Sequence, residues 1–271
     1  MSAWLPTAPC TPQACVEMPA AVRARAVPRA VLRLTAVLLL LLGGIALTPI
    51  GARIPASLVR QWCRWIVRAA GVRVRITGAA APTGGLLLVA NHISWLDIPL
   101  LAAVRPARML AKTEVRRWPV AGALAARGGT LFIDRDRLRA LPDTVARIAG
   151  ALREGAAVGA FPEGSTWCGR AQGTFRRAVF QAALDAGVPV QPVRIGYRLS
   201  GGTATTAPAY VGEDTLLASL WRVATARGLI AEVEVLTLLP PGSSPDRRSL
   251  AHSAQPPETA APAWTHTVLV A

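Results

Sequence analysis

Histidine, cysteine and lysine are all scarce in this chain, and each scarcity narrows its chemistry. Three histidines occur. Because His252 and His266 lie in a Pro/Ser-rich stretch near the C-terminus, His92 is the one imidazole that the folded part offers as a general base near neutral pH. The four cysteines, at 10, 15, 63 and 168, are too scattered for a disulfide framework. Cys10 and Cys15 have no ligand cluster beside them in sequence, so no metal site is expected. No Ser or Cys stands in a recognisable nucleophile context, and no internal repeat is present. Thirty basic residues less the one lysine, Lys112, leave twenty-nine arginines. Acidic residues number 15, and the net charge of +15 calls for an acidic partner, either nucleic acid or an anionic membrane. The arginines form no recognised nucleic-acid motif, 52% of the residues are hydrophobic, and the mean hydropathy is +0.37. The balance favours a membrane and argues against nucleic acid.

One long apolar run is present. Leu34 to Ala52 carries no charge, which is just enough length to cross a bilayer, and Pro49 would bend or stop a helix near its end. Arg23, Arg25, Arg29 and Arg33 precede it, while Arg53, Arg60, Arg64 and Arg68 follow. Arginine on both sides leaves orientation open, and a spanning helix or a shallow re-entrant hairpin fits equally. From Ala56 to Ala70 arginine recurs every fourth residue, with Leu58, Trp62, Trp65, Ile66 and Ala69 on the remaining surface. That pattern suits a helix in the headgroup layer, or else a solvated basic face on a packed helix. Residues 1–28, rich in Ala, Pro and Arg, are expected to be disordered, and so is the tail 240–271. Residues 29–70 are then a membrane-anchoring helical segment. Between 71 and 239 strands and helices alternate, which predicts an α/β domain with helices packed on a mostly parallel sheet.

Chemistry concentrates where apolar strands end. Leu86 to Ala90 reads as a buried strand, followed by Asn91-His92-Ile93-Ser94-Trp95-Leu96-Asp97 at a strand-to-helix turn. If the chain turns at His92, Asp97 can fold back and fix the imidazole tautomer, leaving the other ring nitrogen free to take a proton. The same residues could simply cap a helix and complement its dipole. A second strand exit, after Ala156 to Ala160, carries Phe161-Pro162-Glu163-Gly164, a turn with exposed N–H groups and one carboxylate. A third segment, Gly129 to Arg135, is a short strand ending in Asp134-Arg135, where the arginine fork could grip a phosphate or remain solvated.

Taken in order, these segments resemble the glycerolipid acyltransferase family, which includes the 1-acylglycerol-3-phosphate acyltransferases. The matching residues are Asn91, His92 and Asp97, then Gly129, Phe132, Ile133 and Arg135, then Phe161 to Gly164, then Val188, Pro189, Pro192 and Val193. Lys112 and Glu114, and Phe175-Arg176, extend the likeness, which spans about Val72 to Ile195. It implies that His92 deprotonates a lysophospholipid hydroxyl, with Asp97 orienting and charge-stabilising the ring, and that the hydroxyl attacks the thioester of acyl-CoA or acyl-carrier protein. It also implies that Arg135, Glu163 and Gly164 hold the acceptor, that Lys112 is a second phosphate contact, and that Pro189 shapes the strand beside the donor site. No cofactor or metal is needed, because the thioester is already activated. Lysophosphatidate is the expected acceptor. The family often has Thr-Arg after Phe-Pro-Glu-Gly, where this chain has Ser165-Thr166-Trp167-Cys168, so another lysolipid such as a lyso-aminolipid also fits. The rival classes are a lipid hydrolase using the same pair to activate water and a basic membrane- or nucleic-acid-binding protein with a degenerate active site. The expected location is the cell membrane, with the catalytic domain on the cytoplasmic side.

Overall fold

A computed structural model describes residues 8–17, 26–118, 120–134 and 138–257. In chain order the elements are α1 (Pro12–Cys15), α2 (Ala26–Leu47), α3 (Ala56–Ala69), β1 (Val72–Thr77), β2 (Leu86–Ala90), α4 (Asp97–Val104), β3 (Arg108–Lys112) and α5 (Ala121–Arg127). There follow β4 (Leu131–Ile133), α6 (Leu141–Arg153), β5 (Ala157–Ala160), α7 (Ala178–Ala186), β6 (Val190–Leu199), α8 (Leu216–Thr225), β7 (Leu229–Val235) and α9 (Arg247–Ala254).

The strands form one sheet in the order β1-β7-β6-β2-β5-β3-β4. Five run in one direction, from β6 to β4, while β7 is antiparallel to β6 and carries β1 parallel to itself. The predicted mostly parallel sheet flanked by helices is therefore the fold. Its centre is β2, and the sequence shows why. Leu86, Leu87, Leu88, Val89 and Ala90 are all fully buried, because side chains alternate across a strand and both faces here are covered. Leu86, Leu88 and Ala90 join a cluster with Ile66, Val67, Leu100, Val223 and Val233. Leu87 and Val89 turn the other way, towards Ile148, Leu152, Phe180 and Leu250. Each such leucine contributes about 1.5–3 kcal/mol of burial, so this strand is a rigid base for whatever follows its end.

Two expectations of disorder are corrected. Within the tail, residues 240–257 are ordered through α9. Asp246 caps it by accepting from the N–H groups of Arg248 and Ser249, and Leu250, Ala251 and Ala254 are buried against the α6–α7 layer. A single apolar stripe in a Pro/Ser-rich context supplies too little periodicity to be read as a helix, yet three small contacts suffice once a groove exists to receive them. Near the N-terminus, Cys10 and Val16 are buried in the main core cluster. Thr11 caps the short α1 there, accepting from the Ala14 N–H. The other parts of the two segments, residues 1–7, 18–25 and 258–271, lie outside the described residues.

The expected apolar helix is present as α2, and with the 3-10 turn after it the run Ala26–Gly51 is long and apolar enough to cross a membrane. Only 11% of its most apolar window is buried. Its first turns are fastened to the domain. Arg29 donates to the carbonyl of Thr225, and Arg33 donates to those of Ala224 and Ala226, all at the C-terminal end of α8, where free carbonyls and the helix dipole favour a cation. The chain then doubles back. The Trp62 indole of α3 donates to the Leu40 carbonyl at 3.1 Å, and α3 buries Cys63, Ile66 and Val67 against the domain. Leu58 and Trp65 of the same helix remain exposed.

Candidate active site

Strands β2 and β5 are parallel neighbours, with Val89 opposite Ala160. Their carboxyl ends therefore deliver the His92 and Glu163 segments to one spot, at the edge of an α/β sheet where sites are commonly built. The turn after β2 is held open by Asn91, which bridges to β6. Its Nδ2 donates to the Ile195 carbonyl at 2.9 Å and its Oδ1 accepts from the Ile195 N–H at 2.8 Å.

Asp97, fully buried at the first turn of α4, is the hub. Its Oδ2 accepts from the Ile93 N–H at 2.6 Å and the Ser94 N–H at 2.7 Å, and lies 2.9 Å from His92 Nδ1. Its Oδ1 accepts from the Tyr197 hydroxyl at 2.6 Å. With a carboxylate on that side, Nδ1 carries the ring proton and Nε2 is left as the acceptor. Burial, followed by the Asp97 charge, pushes the Tyr197 phenol well above its usual range, so it stays a donor. The His92 ring also stacks on Phe161 at 4.1 Å with 12° between planes. One edge remains open, since the His92 side chain is 20% exposed while Asp97 is 0%. A clamped imidazole with one reachable nitrogen can take and return a proton.

Glu163 braces the same loop from below. Its Oε2 accepts from the His92 N–H at 2.7 Å and its Oε1 accepts from the Gly173 N–H at 2.9 Å. Burial pushes its carboxyl up to about 8, the two backbone donors oppose that rise, and the Asp97 charge adds to it. Gly164 follows at φ +78, a left-handed turn position that suits glycine. The Trp167 N–H closes the frame by donating to the His92 carbonyl at 2.7 Å, and the Tyr210 N–H donates to that of Ile93 at 2.9 Å.

The other expected residues are distributed unevenly. Lys112 ends β3, exposed, at the same carboxyl edge and two strands away from β2. Pro189 is at the opposite edge. It precedes β6, its carbonyl accepts from the Leu87 N–H, and the parallel pairing sets Val190 beside Leu87 rather than beside His92. Roughly four strand residues, about 13 Å, separate it from the start of the His92 turn. Arg135 lies outside the described residues. Tyr197 and Phe161 take part in the site without having been singled out for it. Phe161 opens the Phe-Pro-Glu-Gly motif, but nothing in the sequence around Tyr197 signals that its hydroxyl reaches Asp97.

Residues 71–196 match the family model described as Acyltransferase. A lyso-ornithine lipid O-acyltransferase of Pseudomonas aeruginosa is 42% identical over 217 residues, which is 79% of this chain and 80% of that protein. The chain belongs to the acyltransferase family. Another relative of this acyltransferase, a 1-acyl-sn-glycerol-3-phosphate acyltransferase of Neisseria gonorrhoeae, is 35% identical over 175 residues, 64% of this chain and 68% of that one. The crystal structure of the 1-acyl-sn-glycerophosphate acyltransferase PlsC from Thermotoga maritima superposes with a TM-score of 0.63, covering 85% of this chain and 92% of that one. At 18% identity this likeness shows the fold. The acyltransferase thus has the family's sheet, with the His92 and Glu163 turns side by side on it.

Proposed function

We propose that this acyltransferase moves a fatty acyl group from a thioester, acyl-CoA or acyl-carrier protein, to the hydroxyl of a lysolipid at a membrane surface. The observation that carries the reading is the His92 Nδ1 to Asp97 Oδ2 contact of 2.9 Å beneath a ring whose other edge is open. In the reaction, Nε2 takes the proton of the acceptor hydroxyl as its oxygen attacks the thioester carbonyl. The new C–O bond forms, the C–S bond breaks as the tetrahedral intermediate collapses, and the imidazolium returns its proton to the departing thiolate. Asp97 stabilises the imidazolium between these steps.

Among acceptors, a lyso-ornithine lipid is favoured by the 42% identity over four-fifths of the Pseudomonas protein. Thr166, at the position where an anion-binding arginine is common, supports an acceptor that needs one anion contact fewer, and Trp167 beside it adds apolar surface. Lysophosphatidate is the second reading, supported by the Neisseria relative and by Lys112 at the same sheet edge. Arg135, Glu163 and Gly164 hold the acceptor in this reading, with Glu163 acting chiefly by positioning the His92 turn.

The membrane contact is assigned to α2 and α3. Arg29 and Arg33 fix the start of α2 to the domain, and α3 brings the chain back to it, so both ends of the helical pair lie on one side. A shallow hairpin fits that geometry better than a spanning helix. Leu38, Leu39, Leu42, Leu47, Leu58 and Trp65 would lie among the lipids. The catalytic domain then faces the cytoplasm, where acyl donors are found.

The test is purified full-length protein in lipid vesicles with labelled acyl donor, given lyso-ornithine lipid or lysophosphatidate. His92→Ala, which removes one partly exposed ring, is the control. Diacylated product from the intact protein, reduced about 10²- to 10⁴-fold in the variant, is expected. A folded His92→Ala protein with full activity refutes the mechanism. Hydrolysis without a new acylated lipid refutes the transfer reading.

A further inference from the structure

The fold brings together three cysteines that are far apart in sequence. The sulfurs of Cys10, Cys15 and Cys168 all lie within 4.8 Å of one another. Cys10 and Cys168 are buried, Cys15 is partly exposed, and none is in a disulfide. Three thiolates around one ion at about 2.3 Å would place their sulfurs about 3.8–4.0 Å apart. The observed cluster needs only a small contraction to reach that spacing.

The backbone N–H of Cys168 points at the Cys10 sulfur, while burial, with the Cys168 and Cys15 sulfurs beside it, pushes the Cys10 thiol up to about 12, so an ion would have to displace its proton. Soft sulfur donors without oxygen ligands select soft or borderline ions. Cys10 precedes α1 and Cys15 is its last residue, so one short segment carries two donors, and Cys168 comes from the loop that continues from Glu163.

We propose that Cys10, Cys15 and Cys168 bind one thiophilic metal ion, Zn²⁺ or Cu⁺, as three thiolates, fastening residues 8–17 onto the loop behind the catalytic turn. Binding releases the thiol protons to solvent and changes no oxidation state. Cys15, the exposed member, marks the entry path and the side on which Zn²⁺ would keep a fourth, water ligand. The segment is otherwise held by Val16, buried in the main core cluster, and by polar contacts. Glu17 accepts from the Thr205 hydroxyl at 2.6 Å and from Arg170 at 3.2 Å, and its N–H donates to the Thr206 hydroxyl at 3.0 Å. Close packing completes the seat, since the Cys10 carbonyl lies 3.0 Å from where a Cβ on Gly212 would stand. Through the Trp167 N–H on the His92 carbonyl, one residue before Cys168, the clamp ends next to the active site.

The inference is independent of the acceptor proposed above, and its readout is metal content rather than acyl transfer. Full-length protein, purified in detergent without chelator, is analysed for zinc and copper by mass spectrometry and titrated anaerobically with Co²⁺ as a thiolate reporter. One ion per chain and a sulfur-to-cobalt charge-transfer band are expected. Both should fall at least about tenfold in Cys15→Ala, whose partly exposed side chain is the least disruptive to remove. Cys63→Ala, in α3 and outside the cluster, should leave them unchanged. Competition with a copper(I)-selective and then a zinc-selective chelator tells the two ions apart. Stripping the ion should speed hydrogen exchange at residues 8–17 in the native protein. Folded native protein with neither metal nor a cobalt band overturns the proposal, as does metal retained in Cys15→Ala or a Cys10–Cys168 disulfide in anaerobically handled protein.

Discussion

Replacing Asp97 by asparagine separates charge from geometry at this site. The Ile93 and Ser94 N–H groups both point at the same carboxylate oxygen, at 2.6 and 2.7 Å. An asparagine must therefore put its carbonyl oxygen there, which keeps the acceptor facing His92 Nδ1 and so keeps the productive tautomer. Its amide nitrogen falls on the Tyr197 side, where the hydroxyl can rotate from donating to accepting. What is lost is the negative charge under the imidazolium that forms as the acceptor is deprotonated. At 2.9 Å, with an effective dielectric of about 20, that attraction is at most about 6 kcal/mol, and the difference between a charged and a neutral hydrogen-bond partner sets a floor of about 1 kcal/mol. At 1.36 kcal/mol per decade the expected fall in kcat/KM is therefore roughly 10- to 10⁴-fold. Alanine is the wrong probe. It leaves two backbone N–H groups, the Tyr197 hydroxyl and the His92 ring without their acceptor, at about 1–3 kcal/mol each, a loss comparable with the whole stability of a domain. The assay is acyl transfer in vesicles across a pH series, with circular dichroism to confirm the fold. Native kcat/KM in folded Asp97→Asn protein would show that the carboxylate serves the helix and not the histidine.

Two further expectations concern the frame around the histidine. Glu163, held up at about 8 in the folded state against an ordinary value near 4.3 unfolded, keeps a proton that the unfolded chain has already lost over that interval. The folded state binds the extra proton, so stability falls as pH rises from about 4.5 to 8 and levels off above. Between pH 5 and 8 the native protein should lose up to about 4 kcal/mol relative to Glu163→Gln, read from urea midpoints, and parallel curves would show that the carboxylate is ionised throughout. Asn91→Ala, which strips both partners from the Ile195 peptide, should cost about 2–4 kcal/mol and lower the unfolding midpoint by roughly 5–15 °C in a scanning calorimeter; an unchanged midpoint removes Asn91 from the frame.

Legibility followed the distance along the chain. His92 and Asp97 are five residues apart, and their contact depends on one turn, so the pattern was enough to bring ring and carboxylate together. The buried run of β2 was equally plain, because a strand covered on both faces is apolar at every position. Glu163 was found as a motif residue, but its bond to the His92 N–H depends on β2 and β5 being neighbours, a pairing that neither strand's sequence encodes. Tyr197 is separated from Asp97 by 100 positions and projects from β6 because of strand order alone. Pro189 also belongs to a motif, and the register of β6 sets it at the sheet edge opposite the His92 turn. The two short helices near the ends, α1 and α9, were read as disorder because their stabilising contacts are made with distant groups rather than within themselves.

The chain by itself determined the residue types available for chemistry, the alternation that makes an α/β sheet, the apolar helix near the N-terminus and the local His92–Asp97 turn. These depend on side-chain identity and short-range geometry, which a linear string contains. Only the tertiary structure decided which strand ends meet, that Glu163 and Tyr197 brace the His92–Asp97 pair, and that Cys10 and Cys15 come to Cys168. Those contacts exist because burying both faces of one sheet brings together segments that have no local reason to touch.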